Sequence, residues 1–165
     1  MTFEDLKTKF PDATLDTWHV HPRGGGWVEN TATVAETAYV GPDALVSGRS
    51  RVFGNAVVSE NAQVSGNAVV FGYAWIDGDA LVYDNALVYG DATITEEAQI
   101  YGDATIATFA QVYGNAWVFG DARVFGRSQI SGRSRVFGSA RISGRSLVFG
   151  DTVVCGNEVI GEMVN

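Results

Sequence analysis

The chain has 165 residues, 46% of them apolar, and a formal net charge of −8. That length suits one domain, and the acidic balance argues against a general attraction to nucleic acid or an anionic membrane. Twenty Gly against three Pro point to a turn-rich, all-β chain, and the lone Cys155 excludes an internal disulfide.

Residues 1–23 stand apart from the rest of the chain. Thr2 with Asp5 three places on forms a capping-box pattern, Phe3, Leu6 and Phe10 fall on one helical face, and Pro11 stops the helix. This N-terminal cap, a short helix and its lead-in, is expected to cover an exposed sheet end. The opening residues contain no apolar core of signal-peptide length, and no apolar run approaches a membrane span, so a cytoplasmic location without membrane contact is expected. Gly24-Gly25-Gly26 lacks the following helix and the Lys-Ser or Lys-Thr of a phosphate loop, so it reads as a feed into the next segment.

From Val28 to Ile160 every sixth residue is Val or Ile, twenty-three in succession. Two places before each lies a small residue: Ala sixteen times, Ser at 50, 128, 134 and 146, with Gly26, Thr152 and Glu158 as the exceptions. A period of six matches neither a helix nor a free strand, so residues 24–165 are predicted to repeat one small bent unit that buries its apolar side only against its neighbours. Within a unit such as Asn67-Ala68-Val69-Val70-Phe71-Gly72, alternation points the Ala and second Val inward and the residue between them outward. Gly two places after the aliphatic position, present in fifteen of the twenty-three units, supplies the bend.

An aliphatic residue followed four places later by a small one resembles the motif of the hexapeptide-repeat family. That resemblance implies a left-handed parallel β-helix with three hexapeptides per coil, here seven to eight coils in a rod about 35 Å long. The segment Trp18-His19-Val20-His21-Pro22-Arg23-Gly24-Gly25-Gly26-Trp27-Val28 is similar to uncharacterised members from enterobacteria and their phages, several of which carry a transferase label on fold similarity alone.

With three hexads per coil, residues eighteen apart become vertical neighbours. One corner then carries Tyr83, Tyr101, Phe119 and Phe137, with Trp117 on the adjoining face; a second carries Phe53, Phe71, Tyr89, Ala107 and Phe125. So much outward aromatic surface marks either a self-stabilising ladder or a protein-contact face, and a homo-oligomer is expected, a trimer by family habit or a dimer. Nine of the eleven basic residues are Arg, and six lie between Arg123 and Arg145. Stacking at eighteen sets Arg123 against Arg141 and Arg127 against Arg145, around Phe125. Guanidinium groups grip phosphate or carboxylate, so this cluster is the candidate site for an anionic small molecule. Arg133 and Asp151 are expected to form an ordinary surface ion pair. Stacked acidic residues such as Asp103 and Asp121 read as solvated turns rather than a cation site.

The family is best known for acyltransferases that use a His general base and acyl-CoA; some members are three-His zinc enzymes. This chain has two His, His19 and His21, which excludes a three-His site within one chain, and no metal centre is expected. The expected function is therefore a non-catalytic binding or assembly protein that holds a phosphate-bearing ligand and needs no cofactor. The alternative is an acyl-CoA-dependent acyltransferase with His19 or His21 as base.

Overall fold

Each hexad contributes one two-residue strand and one bend, and three of them close a coil. In the computed structural model, which describes residues 1–161, the strands from Thr33–Val34 to Val159–Ile160 stack into a parallel β-solenoid of about seven turns. The last four residues of the predicted repeat domain lie outside the described residues. Every parallel pairing has a register of eighteen: Leu45 lies against Gln63, Arg51 against Val69, Trp75 against Thr93. The three faces are sheets of nine, eight and seven strands. The first face runs through Leu45–Val46, the second through Arg51–Val52 and the third through Val57–Val58; the first corner follows the first face, and so on around the coil.

The interior is one continuous stack. Val and Ile from Val40 to Ile142 are wholly buried, as are most of the small residues beside them. Burying each aliphatic side chain stabilises the rod by roughly 1.5–3 kcal/mol. Ser at the small position is accommodated by one device: Ser50, Ser128, Ser134 and Ser146 each donate their hydroxyl to the carbonyl three residues back, at 2.6–2.8 Å. No buried side-chain polar atom among the described residues lacks a partner.

All fifteen Gly at the bend have positive φ, and so do the non-Gly residues that replace them at Glu60, Asp84, Glu96 and Thr108. The bends also nest closely, because a Cβ at Gly66 would come within 2.8 Å of the Asp84 nitrogen in the next coil.

The N-terminal segment does its covering differently from expectation. Helix α1 (Phe3–Lys9) has the predicted Thr2–Asp5 capping box, and those hydrogen bonds, the Thr2 hydroxyl's first, hold the Asp5 carboxyl below its usual range. The helix does not lie across the end of the rod. Leu6 joins Trp18, Trp27 and Leu45 in a second small core on the outer side of the first face, with Phe3 packed 5.5 Å from Trp27 and Phe10 4.8 Å from Trp18. Outward apolar residues at 27 and 45 attract an amphipathic helix to the flank. The lead-in closes the end instead: β1 (Trp18–Val20) pairs antiparallel with β2 (Trp27–Glu29), and residues 23–26 lie along the edge of the third face, where Val40 donates to the Arg23 carbonyl and accepts from Gly26. Gly24 and Gly26 are required there, since a Cβ on either would sit 2.2 Å from a backbone oxygen.

Candidate functional site

The second face and second corner gather the cations. Arg123 and Arg141 are direct register partners on successive strands, both exposed. At the adjoining corner the Arg127 N–H donates to the Gly144 carbonyl at 2.7 Å, which fixes Arg145 one coil beyond Arg127. Among the described residues, none of these four guanidinium groups has a carboxylate within 4.0 Å. Arg127 instead lies over the Phe109 ring, 5.6 Å from its centroid. The cluster therefore has the features of an anion site: like charges at ladder spacing repel, and a bound anion relieves that repulsion.

Two concavities flank the cluster. One, about 530 Å³, is lined by Thr108, Phe109, Gly126, Arg127, Gly144 and Arg145. The other, about 420 Å³, contains Tyr89, Ala107, Arg123 and Phe125, and the two share Thr108. Thr108 has φ of +60°, where a β-branched residue is strained by roughly 1–2 kcal/mol. Its hydroxyl holds it there, accepting from the Gly126 N–H at 2.6 Å. Sequence reasoning placed the Arg residues and Phe125 together, and the structure brings them together. It overlooked Phe109 and Thr108, although Phe109 sits eighteen residues before Arg127 and was available to the same fold-by-eighteen reading.

The first corner is a stack of rings. Tyr83, Tyr101, Phe119 and Phe137 follow one another at 4.8–4.9 Å with planes within 9°. Partial burial, then the neighbouring Tyr101, raise the Tyr83 phenol above its usual range; burial comes first for Tyr101 as well. These rings stack on one another within the chain and are each half-buried. Trp117 is covered in part by Arg135, 4.9 Å above its ring, beside a groove of about 460 Å³ that also includes Asp79, Glu97 and Arg133. Arg133 makes the expected ion pair with Asp151 at 2.8 Å. The most exposed large apolar side chains are elsewhere: Leu15 at 69%, Phe149 at 67% and Tyr73 at 65%.

The two His residues are separated by environment. His19 is exposed, with Nδ1 2.6 Å from Asn30 Oδ1; His21 is 3% exposed, and its Nε2 faces the Ala38 carbonyl at 3.1 Å. A carbonyl can only accept, so that nitrogen carries the proton and is spent on anchoring the lead-in. No group of three metal-ligating side chains forms among the described residues. Asp103, one of the stacked acids, accepts from Asn85 at the end of an Asn67–Asn85 ladder. No helix among the described residues is long and apolar enough to cross a membrane.

Comparison with known families agrees with this geometry. Three stretches, residues 62–78, 98–108 and 110–126, match the YdcK beta solenoid repeat. The chain is thus similar to repeat β-solenoid proteins over well under half its length, and the matches fall on coils whose strands stack at the eighteen-residue register. No curated protein matches the chain.

Proposed function

We propose that the protein is a rigid, non-catalytic rod that binds a phosphate-bearing small molecule through Arg123, Arg127, Arg141 and Arg145. The observation that carries this reading is the two pairs of stacked cations without acidic partners among the described residues, placed beside two concavities on an otherwise acidic molecule. Burial and the bond to the Ala38 carbonyl weigh against His21 as an acyl-transfer base and leave that role to His19, of which Asn30 engages only Nδ1. The rod assembles with itself through the outer edges of the Tyr83–Phe137 ladder and Trp117.

Tripolyphosphate at low ionic strength is expected to raise the melting temperature by a few degrees. The double variant Arg127→Ala, Arg145→Ala should lose that shift while keeping its own melting temperature. A shift that persists in the double variant, or none in the native protein, overturns the anion reading. Light scattering tests assembly separately: a monomer at every concentration removes the contact face.

A further inference from the structure

The second corner carries a ring ladder with one rung missing. Phe53 stacks on Phe71 at 5.0 Å and Phe71 on Tyr89 at 4.9 Å, with planes within 5°. The next position in register is Ala107, followed one coil later by Phe125. The backbone continues unbroken through the gap: Tyr89 donates to the Ile106 carbonyl at 3.0 Å and Ala107 to the Val124 carbonyl at 2.9 Å. Only the side chain is absent. Ala107, 3% exposed, lines the 420 Å³ concavity together with Tyr89 and Phe125, its neighbours one coil before and one coil after.

Two coils separate the Tyr89 and Phe125 backbone positions by about 9.6 Å. A planar ring placed midway would lie about 4.8 Å from each, the spacing at which the neighbouring rungs stack and within the preferred range for aromatic pairs. Leu87 and Thr105 line the same concavity, and Arg123 stands at its edge. Across Thr108 the second concavity opens on Arg127 and Arg145. A ligand that fills both has a flat ring at one end and an anionic group at the other.

We propose that Ala107 marks a stacking slot for the base of a nucleoside phosphate, held between Tyr89 and Phe125 with its phosphate on the Arg cluster. This rests on the anion reading and adds the class of ligand to it. Stacking of a base on an aromatic side chain strengthens binding by about tenfold. No covalent step is involved.

Equilibrium dialysis of the full chain with AMP, ribose 5-phosphate and tripolyphosphate tests the slot. AMP is expected to bind about tenfold more tightly than ribose 5-phosphate. Ala107→Phe, which restores a rung that the corner already accepts at 53, 71 and 125, should reduce AMP to the level of ribose 5-phosphate and leave tripolyphosphate unaffected. Tyr89→Leu, which removes one wall without filling the space, should give the same loss and covers the case in which Ala107→Phe fails to fold. Equal binding of AMP and ribose 5-phosphate, or AMP binding that survives both substitutions, overturns the slot and leaves the anion site standing. If tripolyphosphate also fails to bind, the anion site falls with it.

Discussion

At the N-terminal end of the rod, Trp18–Val20 turns back antiparallel on the first coil, His21 is buried against Ala38, and Leu6 is pulled onto the flank by Trp27 and Leu45. At the other end the same repeat continues through Val153–Val154 and Val159–Ile160, but the inward small positions become Thr152 and Glu158, both exposed, while Val153 and Val159 are 55% and 61% exposed. A coil in this architecture is as stable as what lies on both sides of it. The first end borrows that neighbour from a non-repeating segment. Glu158 can occupy a core register only because water reaches the position.

Substitutions along the rod should sharpen that contrast. Ile100→Ala empties a wholly buried mid-rod position and is expected to cost about 4 kcal/mol, whereas Ile160→Ala should cost less than about 1 kcal/mol. Denaturant unfolding of both variants measures the difference, and equal costs would show that the ends are as tightly held as the middle. Gly24→Ala, with φ of +114° and a Cβ 2.2 Å from the Val40 oxygen, is expected to cost about 3 kcal/mol. That loss should be concentrated at the first end and accompanied by a red shift of Trp fluorescence as Trp18 and Trp27 become wet. Retained native fluorescence would remove the argument that the lead-in seals the rod. The smallest effect has the opposite sign: Glu96→Gly relieves a strained bend at φ +61° and should stabilise by about 0.5 kcal/mol, net of the freedom Gly adds to the unfolded chain.

The coils were legible in the sequence because each hexad states its own burial pattern, and twenty-three statements agree. Once three hexads close a coil, the Arg pairs, the ring ladders and the Arg133–Asp151 ion pair follow from spacing alone. The segment outside the repeat was harder. The pairing of β1 with β2 involves residues with no periodicity, and the placement of α1 depends on Trp27 and Leu45 being outward and large, a fact about two positions rather than a pattern. His19 and His21 look equivalent in the sequence, yet one ends exposed and the other buried, because His21 lies past the strand end where the chain bends over Ala38. Ala107 shows the reverse difficulty. It was visible as an interruption among aromatic residues, but the concavity it lines with Tyr89 and Phe125 depends on side-chain positions that spacing does not give.

The eighteen-residue register has a genetic corollary. Duplicating or deleting eighteen residues within the coils changes the rod's length and leaves each vertical neighbour on its own edge of the prism. Six residues gained or lost would rotate everything downstream by a third of a turn, bringing Arg145 under a different column while the buried stack of Val and Ile scarcely registers the change. Such a chain tolerates indels that spare its folding and rewrite its surface, so the length of an insertion, more than its composition, decides what the exterior can recognise.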